Sequence, residues 1–341
     1  MFKLPLVTLL LLSLPARFAF TQTTTPCPTN AVFLVLENEI RGYSLRANGD
    51  AVPCQVLQGS STTLSTARAI SFTADNNLHV MQFLTNGTIN IFAPGSSGDA
   101  APARTVTTYT NDLISIATDS RNTDFILSNR ARPNPIVAVP DGATTPMDTF
   151  YDPSLAAAWS LAVDAQNSLL VAGYDSNGVA TIDTYDTFDM YQHPTTPRRL
   201  RRLQGAATGL LHGDPTAYVG NTIAIAVDPV SQELYVYNTD ADSTTIQISV
   251  FPAHAQGNVA PVRVIRGPAT QIGIPGVVGT SKISVAADGR LFDAEPNNRI
   301  LVFAPGASGN VTPSQIIRDA TTGSAPIDQG GVAARFCNCC Q

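Results

Sequence analysis

A short segment recurs along this chain at a spacing near fifty residues, and that periodicity limits the possible fold more than any other property. Val302-Phe-Ala-Pro-Gly-Ala-Ser-Gly-Asn310-Val-Thr-Pro313 is a near copy of Ile91-Phe-Ala-Pro-Gly-Ser-Ser-Gly-Asp99-Ala-Ala-Pro102. Val250-Phe-Pro-Ala-His-Ala-Gln-Gly-Asn258-Val-Ala-Pro261 is a third copy, and Tyr43-Ser-Leu-Arg-Ala-Asn-Gly-Asp50-Ala-Val-Pro53 a fourth. Weaker members are the stretch from Val137 to Pro146 and the one ending in Thr195-Thr196-Pro197. The anchoring prolines Pro53, Pro102, Pro146, Pro197, Pro261 and Pro313 are 49, 44, 51, 64 and 52 residues apart. Self-similarity at such a period marks small units that bury their apolar faces against one another.

Upstream of each copy an alternating apolar segment, a turn with Asp and a second apolar segment recur. Examples are Ile70-Ser-Phe72 with Asp75, Ile114-Ser-Ile116 with Asp119, Leu161-Ala-Val163 with Asp164, Ile225-Ala-Val227 with Asp228, and Ile283-Ser-Val285 with Asp288. Period-two alternation interrupted by Asp, Asn, Gly and Pro predicts short antiparallel strands. The last unit then has strands at 282–286, 289–293, 299–303 and 313–318. Four short strands repeated radially make a β-propeller blade, so the chain is predicted to be an all-β, six-bladed propeller. The first repeat begins at its second strand, Ala31-Val-Phe-Leu-Val-Leu36, and the missing first strand is supplied by Gly330-Gly331-Val332-Ala333-Ala334-Arg335. Closure of the ring by this C-terminal strand hides both free edges.

The 341 residues, 44% hydrophobic and 13% charged, exclude a disordered chain, a coiled coil and a collagen-like rod. Residues 1–22 read as a secretory signal peptide, with Lys3 before an apolar run and small residues near Ala19. Residues 23–30 are a linker, 31–336 the propeller and 337–341 a Cys-rich tail. No apolar run reaches the roughly 20 residues of a spanning helix, so the protein is not expected to cross a membrane. Formal charge is −6, near −8 once Lys3 and Arg17 leave (−6 − 2), which argues against nucleic acid as a partner. A secreted or periplasmic location makes disulfides the expected state of Cys27, Cys54, Cys337, Cys339 and Cys340. Ring closure is expected to bring 337–340 towards Cys27 or Cys54, and an odd count leaves one thiol over. Three thiolates in the tail also make a soft-metal site conceivable on chemistry alone.

The repeated Val-Phe-Ala-Pro-Gly-Ala-Ser-Gly-Asn resembles the motif of exported bacterial NHL-type propellers, over about residues 31–336. That resemblance implies a scaffold used by lyases, lactonases and binding modules alike.

Aligned second strands point to sites. The column Val35, Val80, Leu127, Val171, Val236, Asp293 is apolar except at Asp293, and two residues on stand Glu37, Gln82, Asn129, Gly173, Asn238 and Glu295. Blades one and six adjoin in a closed ring, so Glu37, Asp293 and Glu295 are candidate ligands of Ca²⁺ or Mg²⁺. The resemblance to gluconolactonase-type propellers, which use Glu, Asn and Asp on the channel, implies a metal-assisted lactonase or lyase as the alternative to a non-catalytic role. His79 falls in an otherwise apolar column and is expected to pack, and His254 decorates a repeat loop. His212, Asp214 and Tyr218 lie in the longest connection, 206–222, where a rigid scaffold places binding residues. With Asn129 and Asn238 they are the candidate ligand-binding residues for a protein, glycan or small molecule, and His212 is the candidate general base of a lyase. Arg198-Arg199-Leu-Arg201-Arg202 is expected on the outer strand of blade four, as edge protection or as a patch for an acidic polymer.

Overall fold

A computed structural model describes residues 27, 30–83, 87–110, 112–129, 134–152, 154–193, 197–215, 223–242, 244–273, 282–295, 298–319 and 331–335. Six small antiparallel sheets form a ring, and the chain is a six-bladed β-propeller. Blade two shows the common plan: Ala67–Phe72 is innermost, followed outward by Leu78–Gln82, Thr88–Phe92 and Arg104–Thr107. Blades three, four and five begin at the inner strands Leu113–Thr118, Ala157–Val163 and Ile223–Val227. Blade six runs Ile283–Val285, Leu291–Glu295, Arg299–Phe303, Gln315–Asp319. Its second strand starts later than the sequence predicted, because residues 287–289 are spent in the hairpin closed by Ala286 N–H to Arg290 C=O. Alternation buries both faces of the middle strands, so apolar side chains of adjacent blades form the core between them.

Closure follows the predicted route. Val332–Arg335 pairs with Ala31–Leu36 as the inner strand of blade one. A second device was not anticipated: Gly49–Ala51, from the first repeat loop, pairs in parallel with Gln315–Asp319 as a fifth strand of blade six.

That parallel pairing explains the repeated motif. In the other full copies, Gly98 bridges to Leu57, Gly257 to Leu203 and Gly309 to Ile265, each on the outer strand of the preceding blade. The following residue then caps the turn beyond that strand: Asp99 Oδ1 accepts Ser61 N–H at 2.6 Å, Asn258 Oδ1 accepts Ala207 N–H at 2.6 Å, and Asn310 Oδ1 accepts Ala269 N–H at 2.8 Å. Each cap lies over a glycine, Gly59, Gly205 or Gly267, at φ 136, 128 and 122°, where an added Cβ would come within 2.3–2.5 Å of the capping side chain. The repeat is thus an inter-blade clasp, and the glycines it covers, Gly59, Gly205 and Gly267, are needed for close approach and for a backbone conformation that L side chains resist.

The disulfide differs from expectation. Cys27 is bonded to Cys54, 27 residues away, and the pair packs over Gly42. The bridge thus ties the N-terminal segment to blade one, not the two chain ends to each other. Cys337, Cys339 and Cys340 lie outside the described residues, as do the signal segment 1–22 and the linker apart from Cys27 and Asn30.

Candidate functional site

The inner strands surround an axial channel of about 230 Å³ lined by Ile70, Phe72, Ile116, Leu161 and Ile225 among others. Three serines on these strands are committed to holding the ring: Ser115, Ser160 and Ser284 hydroxyls accept backbone N–H groups of Leu161, Ile225 and Ala334 from the next blade at 3.0, 3.1 and 3.1 Å. The channel is smaller than a pocket for a drug-sized ligand, roughly 300–1,000 Å³.

Beside the channel, between blades five and six, sits a buried charge cluster. Asp293 and Glu295 point to one side of the second strand of blade six, as residues two apart must. The structure brings these two together and leaves Glu37 apart, exposed in the turn between Leu36 and Glu39. Between the carboxylates stands Lys282, its Nζ 2.9 Å from Asp293 Oδ1, 2.8 Å from Glu295 Oε1 and 2.7 Å from the Ala294 carbonyl. The ammonium occupies the place in which a bound cation would sit. Among the described residues no three His, Cys, Asp or Glu gather to hold a metal ion. Glu295 Oε1 also accepts Gly273 N–H at 2.9 Å, and the Tyr237 ring of blade five lies 4.7 Å from the ammonium.

Lys282, Asp293 and Glu295 are 3, 0 and 5% exposed, so their charges are set by one another. Burial first pushes the Asp293 carboxyl well above the usual carboxylate range, the Lys282 ammonium opposing the rise and Glu295 adding to it. Burial works to lower the Lys282 pKa, but Asp293, Tyr237 and Glu295 outweigh it and hold the amine above the ordinary lysine value. Sequence reasoning missed Lys282 because it compared second strands only. The signal was available in the composition: of 20 Lys and Arg, only Lys3 and Lys282 are lysine.

The remaining predicted site residues are scattered. Asn238 is fully buried, accepting Leu211 N–H and donating to Leu211 C=O, both at 2.9 Å. Asn129 accepts from the Asn134 amide at 3.0 Å, in blade three. His212 is exposed, Asp214 half-buried, and Tyr218 lies outside the described residues. His79 is buried as expected, and it is also paired: its Nδ1 lies 2.7 Å from Asp124 of blade three. The arginine run does lie on the outer strand of blade four, Arg199–Leu203, but every guanidinium is paired: Arg198 with Asp186, Arg199 and Arg202 with Asp183, and Arg201 with Asp164.

No protein-family model and no curated sequence matches the chain. Solved structures do resemble it: a functionally unknown protein from Desulfotomaculum acetoxidans (TM-score 0.53, 10% identity, covering 90% of this chain and 99% of that one) and a protein of unknown function from Bacteroides caccae (TM-score 0.53, 7% identity, 90% and 98%). At such identities the likeness is one of fold, that of the β-propeller.

Proposed function

We propose that this chain is an exported propeller of the NHL type that serves as a non-catalytic scaffold, holding a protein, glycan or small ligand on its loop-bearing face. The supporting observation is how the connection after Thr208 is built. Asn238 binds both backbone groups of Leu211, and Gly213 N–H donates to Gly178 C=O at 2.9 Å while Gly213 lies against the Tyr174 ring. His212 is therefore exposed between two pinned residues, a preorganised contact on a rigid support. The motif resemblance and the Cys27–Cys54 bridge agree with export, and no helix among the described residues is long and apolar enough to cross a membrane.

The test is a glycan array together with a thermal-shift panel of small ligands, run on the parent and on His212→Ala. The reading predicts a ligand whose binding is lost in the variant without a change in its melting temperature. Ca²⁺- or Mg²⁺-dependent turnover of a lactone, abolished by Asp293→Asn, would overturn it in favour of the metal-assisted enzyme.

A further inference from the structure

We propose that Lys282 and Asp293 react within the folded protein to form an amide bond between Nζ and Cγ, joining the first and second strands of blade six covalently. The three groups such a reaction needs are in contact: an amine, a carboxyl carbon within its reach, and a second carboxylate to carry the proton. Nζ approaches Asp293 Oδ1 to 2.9 Å outside hydrogen-bond alignment, and neither Asp293 oxygen receives a hydrogen bond. Burial, and then Glu295, favours the neutral acid of Asp293, the form from which water can leave, while the Lys282 ammonium opposes it.

The atoms balance without a further reagent. Glu295 takes one proton from the Lys282 ammonium across their 2.8 Å contact. The free amine attacks Asp293 Cγ, the N–C bond forms, and the Cγ–OH bond breaks as the hydroxyl leaves with a second amine proton as water. Glu295 ends protonated, the amide keeps one N–H, and no electron changes hands. Exclusion of water favours dehydration and opposes the reverse hydrolysis, and fixed proximity replaces a bimolecular encounter.

Residue choice agrees with this chemistry. Arginine supplies every other cation of the described chain, and a guanidinium would make the ion pair but not this amide. The place is also one where a crosslink matters. Ile283–Val285 has three residues and is the shortest inner strand, and it supports the closing strand through Ser284 and Ala334.

The full chain, purified and reduced, is digested with trypsin and mapped by mass spectrometry. The proposal expects a branched peptide that joins the segment containing Lys282 to the segment 291–299, lighter than their sum by one water, with no cleavage after Lys282. Glu295→Gln should give the two peptides unjoined in a protein that still binds the Lys282 ammonium. Asp293→Asn should still give the branch, formed with loss of ammonia in place of water. An unbranched peptide ending at Lys282 in the parent, at full mass, overturns the proposal whatever the variants do.

Discussion

The two junctions that flank blade four solve one packing problem with opposite chemistry. Between blades four and five, Gly205 leaves room for the Asn258 amide, which caps the turn through Ala207 N–H. Between blades three and four, Asp152 follows the outer strand Asp148–Tyr151 directly, as Gly205 nearly follows Arg199–Leu203. There Ser154, Arg202, Asp183 and Tyr185 surround the carboxylate, with Arg202 Nη2 2.6 Å from Asp183. The ring seam repeats the charged form: Asp319 accepts Tyr43 O–H at 2.6 Å and pairs with Arg41, which also binds Glu39 at 2.6 Å. A neutral clasp needs a glycine and a left-handed backbone, whereas a charged one needs a complete set of partners. The difference implies unequal responses to single substitutions.

The largest effect is expected at the seam. Arg41→Ala would leave the enclosed carboxylates of Glu39 and Asp319 without that cation, a loss of about 3–5 kcal/mol. Urea unfolding of parent and variant measures it, and a loss below that of any neutral clasp would break the distinction. The junction between blades two and three has neither clasp; it holds the backbone bond from Thr107 N–H to Thr144 C=O, hairpin amide contacts, the surface Arg104–Asp141 pair at 3.4 Å and the buried His79–Asp124 pair. His79→Leu should therefore cost about 3 kcal/mol by stranding Asp124, and adding Asp124→Leu should recover most of it. Hydrogen exchange should show this junction opening first in the single variant.

An intermediate effect belongs to the glycines. Gly267→Ala places a methyl group against Asn310 at φ 122°, which should cost roughly 1–3 kcal/mol. The charged junction should behave in the reverse sense. Burial, and then Asp183, raises the Asp152 pKa. Its ionised form therefore costs stability at neutral pH. That cost is absent below the ordinary carboxylate pKa and is complete once pH exceeds the raised folded value. Asp152→Asn should accordingly stabilise the protein at neutral pH, with the advantage shrinking as pH falls, as thermal melts across the acid range would record.

How much of this was legible follows from what a repeat can display. Strand order, blade number and closure follow from the spacing of the copies, because identical segments must meet identical surroundings. The turn aspartates were partly legible: Asp119, Asp164 and Asp228 each accept backbone N–H groups within their hairpins. Asp75 and Asp288 do not share that position, which Thr73 and Ala286 occupy. Contacts between different columns were not legible. Lys282 meets Asp293 across two strands, and the arginine run meets acids on other strands and turns, so no single aligned column reveals either pairing. The disulfide was misplaced for the same reason, since Gly42 and Phe33 form its seat and neither marks the cysteines in sequence.

The smallest predicted effect tests whether the clasp is one device used several times. Asn258→Ala and Asn310→Ala each remove one side-chain acceptor from a partly solvated turn N–H, of Ala207 and Ala269 respectively. Water can replace part of such a bond, so each should cost about 1 kcal/mol. The parallel backbone bonds from Gln204 N–H to Gly257 C=O and from Arg266 N–H to Gly309 C=O do not involve the altered side chains and should persist. Equal losses, with faster exchange confined to Ala207 in one variant and Ala269 in the other, identify equivalent and independent clasps. A larger loss at Asn310 would instead mean that the junction beside blade six is coupled to the ring seam, and the double variant would then depart from additivity.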